Sequence, residues 1–386
     1  MDNLQNTEKW VGSWSVSPVD YSSAPLHFNN QTLRAKIKLS IGGKKIRLKF
    51  SNRFGHQPVS LSGADVAIAY ENRNISEGTN RKVTFDGEQS IVMQPLQNEV
   101  YSDEIDLETT NLESVAISLF FSGNTSIATA YLGSSECCTS VQGDYSSSFS
   151  FPINLESTET SLDPALPLLT GIDVLTSNDF TSVVTFGDSI TAMDWPDYFA
   201  DRLVKESKPV GVLRQGIGGN KVLNDSPYSY KYGIAGIKRF KQDAIHSCSD
   251  FVIVLHGVND IIHSCGPEPI SEPVSAEEII NGLRNYIKTA HEEDKKIFGA
   301  TIMPFGEYRG ITSLEENKRQ TVNEWIRTSG EFDGIIDFDK ATEDPDNPGK
   351  LLPEYDSGDH LHPSKNGAKA MADYIDLSLF CLNAQK

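Results

Sequence analysis

The hydrophobic pattern of this chain changes once, near residues 177–181, and that change constrains the fold more than any other feature. Before it, short runs alternate apolar and polar residues at period two: Val66–Tyr70, Lys82–Phe85, Glu104–Leu107, Val115–Phe121, Ser126–Leu132 and Ser147–Ile153. Clusters of Gly, Asn, Ser and Asp separate them. Such alternation gives each strand one core-facing side. Many short strands with frequent turns predict an antiparallel β-sandwich or jelly roll. Around Ile41-Gly42-Gly43, the runs Leu33–Leu39 and Lys45–Phe50 predict a hairpin. Arg34–Arg53 holds eight basic side chains and no acidic one. Six of them, Arg34, Lys36, Lys38, Lys45, Arg47 and Lys49, alternate along the expected hairpin. A solvated basic face is the first expectation for them; contact with an anionic substrate or an acidic surface is the alternative.

After the change, apolar strand runs alternate with helical periodicity. Val183–Phe186, Val210–Leu213, Phe251–Leu255, Lys296–Ile302 and Gly334–Phe338 predict buried strands. Ile279, Ile280, Leu283, Tyr286, Ile287 and Ala290 mark one helix face, and Ser275 with Glu278 predicts its capping box. Ser313 with Glu316 predicts another, and a last helix is expected from Pro363 to about Phe380. This alternation predicts an α/β, doubly wound parallel sheet, in which ligands sit at the carboxyl ends of strands. The expected division is a β-domain over 1–178 and an α/β domain over 179–386, with Glu156–Leu169 a surface loop or part of the connection.

Charge narrows the partners. The 386 residues carry 34 basic and 53 acidic side chains, a formal charge of −19. A polyanion is repelled on average, which argues against nucleic acid and an anionic membrane surface as partners. The five cysteines are odd in number and two are adjacent, so no disulfide framework is predicted. Met1–Trp10 is polar and lacks the apolar core of a leader, and the longest apolar run, Phe251–Leu255, is too short to span a bilayer. The expectation is a soluble cytoplasmic protein, or a secreted one if a leader was removed. The oligomeric state stays open.

Chemistry gathers at the predicted strand ends. The first strand ends in Gly187-Asp188-Ser189, the second is followed by Gly216-Ile217-Gly218-Gly219-Asn220, and the third ends in His256-Gly257-Val258-Asn259-Asp260. Gly358-Asp359-His360-Leu361-His362-Pro363 precedes the final helix. Lys221 stands where a dinucleotide fingerprint needs its last glycine, and no G-x-S-x-G elbow surrounds Ser189. Asp359 and His362 lie three apart, close enough for the carboxylate to orient the imidazole. Each signal is modest alone; their order along the chain is specific.

In these four blocks the second half resembles the SGNH, or GDSL, serine hydrolase superfamily. The similarity extends to a two-domain bacterial esterase branch through Arg319-Gln320, Val322-Asn323, Asp337-Phe338-Asp339 and Asp344-Pro345. In the first half it rests on Trp14, Gln31-Thr32-Leu33-Arg34, Ser40-Ile41-Gly42-Gly43 and Ser51-Asn52-Arg53-Phe54-Gly55. The resemblance implies a flavodoxin-like sheet and a Ser189–His362–Asp359 triad. It also implies oxyanion donors from the backbone N–H groups of Ser189 and Gly219 and the Asn259 side chain. Arg214 and His256 depart from the branch, which often has Asn and Glu there.

The implied activity is hydrolysis of short-chain carboxylic esters through an acyl-enzyme, with acetyl esters, those on carbohydrates included, as the expected substrates and no metal or cofactor. The alternatives are a carbohydrate- or surface-binding protein with a secondary hydrolase domain, and an acyltransferase using the same acyl-enzyme. Trp195, His256 and Tyr308 are the expected substrate contacts, with Tyr228, Tyr230 and Phe305 as further aromatics near the strand ends. His360-x-His362 has no third residue at metal spacing. Asp337, Asp339, Asp344 and Asp346 read as solvated loop carboxylates, with a cation site the alternative.

Overall fold

The computed structural model describes residues 7–133, 136–154, 165–226, 229–263 and 273–381. Tyr228, Cys265 and most of the Glu156–Leu169 stretch lie outside the described residues. The chain divides into two compact units, Met1–Phe180 and Thr181–Lys386.

The first unit is antiparallel β. One sheet orders Glu8–Ser15, Leu169–Ser177, Lys45–Phe50 and Val100–Tyr101. Another orders Glu136–Gln142, Leu26–Lys38, Ser114–Ile127, Gly63–Ile68 and Arg81–Lys82. Val11, Ile46, Leu48 and Val174 of the first meet Leu33, Ile37, Val66 and Ile117 of the second in one core. The period-two pattern thus encodes two facing layers.

The expected hairpin does not form. Leu26–Lys38 pairs with Ser114–Ile127 and Glu136–Gln142, whereas Lys45–Phe50 pairs with Leu169–Ser177 and Val100–Tyr101. Ser40-Ile41-Gly42-Gly43 carries the chain between sheets. The apolar faces of the two strands enter the core from opposite sides, which neighbours in one sheet cannot do. The crossing is tight: a Cβ on Gly42 would lie 2.2 Å from the Thr109 carbonyl oxygen.

The basic row is not one solvated face either. Arg34 is 1% exposed and donates to Ser118 Oγ and to the carbonyls of Arg73, Tyr145, Ser146 and Ser148. Lys45 pairs with Glu104 and Asp106, Arg47 with Asp173, Lys49 with Glu99 and Lys36 with Glu136. The acidic partners come from distant segments, invisible to a local charge count.

The second unit is built on five parallel strands: Thr181–Gly187, Val210–Gly216, Phe251–Leu255, Lys296–Ala300 and Gly334–Ile336. In chain order they lie 2-1-3-4-5, the flavodoxin-like arrangement. Phe199, Phe251, Phe298 and Phe380 pack together, as do Phe186, Phe240 and Tyr286. No helix among the described residues is long and apolar enough to cross a membrane.

Two helix starts differ from expectation. Ser275 and Glu278 form their capping box, but the later helix is capped by Thr312 with Glu315, not Ser313 with Glu316. Arg319 engages both Glu316 oxygens, at 2.7 and 2.9 Å, and removes that carboxylate from capping. The last helix runs Lys365–Tyr374 behind the Ser364 cap, and Leu377–Phe380 is a separate turn capped by Asp376.

Asp337 and Asp339 are not solvated. Arg319, fully buried, pairs with Asp339 and donates to the Ile302 carbonyl at 3.1 Å. Arg327 bonds Asp337 and Asp339. No group of acidic, His or Cys residues able to hold a metal occurs among the described residues. Arg319→Met is expected to cost about 3–5 kcal/mol, because Asp339 stays buried with one cation fewer. Urea unfolding measures it; a loss under about 1 kcal/mol would contradict this account.

Candidate active site

Ser189 follows the Thr181–Gly187 strand and opens the short helix Ser189–Ala192. Asp188 caps this turn, accepting the Ile190 N–H at 3.0 Å. Burial pushes the Asp188 carboxyl up to about 7; nearby Asp260 adds to the rise, while the Ile190 N–H and Arg239 oppose it. Arg214 donates to the Ala192 and Met193 carbonyls at 3.2 and 3.0 Å. The departure from the branch pattern at 214 therefore secures the end of the Ser189 helix.

His362 reaches Ser189 from the other end of the unit. Its Nε2 lies 2.8 Å from Ser189 Oγ, and its Nδ1 lies 2.6 Å from Asp359 Oδ2. The other Asp359 oxygen accepts from the N–H groups of His362 and Leu361 at 2.8 and 3.0 Å and from Ser357 Oγ at 3.0 Å. A carboxylate facing Nδ1 favours the proton there and leaves Nε2 to accept from the serine. Partial burial works against the charge on Asp359, but the His362 ring and backbone bonds prevail and hold the carboxyl at about 2. Its charge therefore persists as pH falls through the ordinary value of 3.8 and is lost only on approaching about 2.

The loop between them is closed by a bridge from Asp356 to Pro363. Its neighbouring histidine turns away: His360, at φ 63°, directs Nδ1 to Asp356 Oδ2 at 2.6 Å. His360 and His362 thus each take their own carboxylate and do not converge as metal ligands.

The glycine loop packs against the serine turn. Ile217 donates to the Gly187 carbonyl at 3.2 Å. A Cβ on Gly216 would lie 2.3 Å from the Ala192 nitrogen, so this approach requires glycine. Gly219 has φ 70°, and a Cβ there would strike the Tyr232 ring at 2.4 Å. Asn259, buried in the Val258–Ile262 helix, donates Nδ2 to the Asn220 carbonyl at 3.0 Å. The second proton of that amide remains for another acceptor. Asp260 fixes the following backbone by accepting from Val222 and Leu223 at 2.8 and 3.1 Å.

Two of the three expected substrate contacts, Trp195 and His256, are interior side chains. Trp195 is buried against Phe338 at the start of the Trp195–Lys205 helix. His256 is 2% exposed, with Nε2 3.2 Å from the Asn220 carbonyl and Nδ1 3.2 Å from Tyr286 Oη. Both are interior side chains because the helix start and the third strand end turn them into the packed layers. Phe305 is buried, and Tyr230 and Tyr308 are half-buried in turns. Sequence reasoning missed Asn220, Asp260 and Arg239. The first two close recognised blocks but are given no role there; Arg239 lies inside a helix with no local signal.

A serine hydroxyl, an imidazole and a carboxylate are thus in hydrogen-bond order, an arrangement that acyl transfer through an acyl-enzyme can use. Residues 185–370 match the model of the GDSL-like lipase/acylhydrolase family. No curated protein matches the chain. Similar solved structures include a GDSL-like lipase from Bacteroides thetaiotaomicron, 17% identical, with TM-score 0.39 over 52% of this chain and 87% of that one. A variant of an acetyl-xylooligosaccharide esterase from Geobacillus is 19% identical, with TM-score 0.40 over 50% and 91%. A carbohydrate acetylesterase from Sinorhizobium meliloti is 15% identical, with TM-score 0.38 over 50% and 94%.

Proposed function

Residues 185–370 form a domain of the GDSL-like lipase/acylhydrolase family, and on that premise we propose that the chain is a serine esterase for short-chain, chiefly acetyl, esters of polar alcohols such as saccharides. The unbroken chain Ser189 Oγ–His362–Asp359 carries the reading. Ser189 attacks the ester carbonyl while His362 Nε2 takes its proton. The tetrahedral oxyanion is received by the N–H groups of Ser189 and Gly219 and by Asn259 Nδ2. Collapse expels the alcohol, which takes the proton back from His362. Water, activated by the same imidazole, then releases the acid.

The polar character of the loop that carries His362 favours a polar alcohol. Asp356, Ser357, Asp359 and His360 share the loop with His362, and Glu307, paired to Lys350 at 2.7 Å, lies 3.8 Å from His360 Nδ1. A long acyl chain has little to gain against such groups, whereas sugar hydroxyls find donors and acceptors. The test is a panel of p-nitrophenyl esters from acetyl to decanoyl beside acetylated saccharides. kcat/KM is expected to be highest for acetyl and to fall steadily with chain length. A maximum at octanoyl or longer would overturn the substrate class, and no turnover of any ester would overturn the activity.

A further inference from the structure

One residue, Asn220, links the two candidate oxyanion donors: it follows Gly219 and accepts from Asn259. Asn220 is buried and uses every polar group it has. Its N–H donates to the Ile217 carbonyl at 3.2 Å. Its carbonyl accepts from Asn259 Nδ2 at 3.0 Å and faces His256 Nε2 at 3.2 Å. Its side-chain Nδ2 donates to the Tyr232 and Ile234 carbonyls at 2.6 and 2.9 Å, and its Oδ1 accepts from Arg239 Nε at 2.9 Å. A carbonyl only accepts, so His256 carries its proton on Nε2 and accepts a hydrogen bond from the Tyr286 hydroxyl at Nδ1.

Arg239 extends this lattice to the serine strand. Its guanidinium is fully buried and stacks 4.0 Å over the Phe186 ring. It donates to the Gly187 carbonyl at 2.7 Å, to the Gln215 carbonyl at 3.1 Å and to Asp243 Oδ2 at 3.1 Å. One cation therefore joins the ends of the first two strands to the Asn220 side chain. Gly187 precedes Ser189 by two residues, and Asn220 follows Gly219 directly.

We propose that Asn220, clamped by Arg239, is a positioning residue that sets the separation of the two oxyanion donors, Gly219 N–H and Asn259 Nδ2, and their alignment with Ser189. It is bonded covalently to one donor and by hydrogen bond to the other, so a shift of Asn220 moves both. Donors act by being in place before charge develops, and a misplacement near 1 Å costs roughly 10²-fold in rate. The inference rests on the esterase reading above.

Asn220→Ala and Arg239→Lys test it. Lysine keeps the charge but cannot span Asn220, Gly187 and Gln215 together. Each variant is expected to lower kcat on p-nitrophenyl acetate by about 10–100-fold with KM within about threefold. Affinity for a boronic acid, whose adduct with Ser189 mimics the tetrahedral intermediate, is expected to fall in parallel with kcat. A merely structural role would leave the boronate affinity of the folded fraction unchanged. Folded variants with kcat within threefold of the parent would overturn the proposal, as would failure of both to fold by circular dichroism. An inactive parent would instead sink the esterase reading.

Discussion

Ser189→Ala is expected to lower kcat/KM on p-nitrophenyl acetate by about 10⁴–10⁶-fold, with the unfolding midpoint little changed. The two halves of this expectation come from different parts of the structure. Activity depends on the Oγ atom, placed 2.8 Å from His362 Nε2. Local stability depends on the backbone: Asp188 caps through Ile190, Arg214 holds the end of the turn, and Met193 N–H bonds the Ser189 carbonyl at 3.1 Å. Alanine keeps all of these and suits a helix start. A fluorophosphonate should add covalently to the Ser189 peptide of the parent and not to the variant, as read by mass spectrometry. Activity above a tenth of the parent level would end the serine-nucleophile reading. The labelled species also separates hydrolysis from acyl transfer: an added alcohol that diverts the product to a new ester marks transfer.

That Ser189, Asp359 and His362 come together is legible because each signal is local. A small polar residue closing an apolar strand and an Asp three residues before a His are patterns a single segment carries. The surrounding scaffold is not, because its partners lie far apart in the chain. Arg239 bonds Gly187, 52 residues away, and Asn220, 19 away. Nothing within its own helix distinguishes it from a solvated arginine. His256 and Trp195 stand at strand and helix ends, positions that point to the crevice by sequence alone; burial direction there depends on packing, not on position. The hairpin failed for a related reason. Period two says which side of a strand is buried, but not which sheet it joins. The five parallel strands escaped that ambiguity, since strand–helix alternation dictates neighbours as well as faces.

Asp359→Asn is the sharpest test of how His362 is held. One Asp359 oxygen accepts three donors, the N–H groups of Leu361 and His362 and the Ser357 hydroxyl. An asparagine must keep its carbonyl oxygen there, because an NH₂ group would meet donors. Its NH₂ then faces His362 Nδ1, now 2.6 Å from a carboxylate oxygen. Two donors cannot share that bond, so His362 shifts its proton to Nε2 and cannot accept from Ser189. The loss in kcat is expected to be about 10⁴-fold, with KM within about threefold. Asp359→Ala removes the charge without imposing a tautomer. The site is half-exposed, so water can bond Nδ1. The alanine variant should therefore be less stable but faster than the asparagine variant. Steady-state kinetics on p-nitrophenyl acetate ranks them. If alanine proves the slower while still folded, the carboxylate serves His362 through its charge and not by choosing the tautomer.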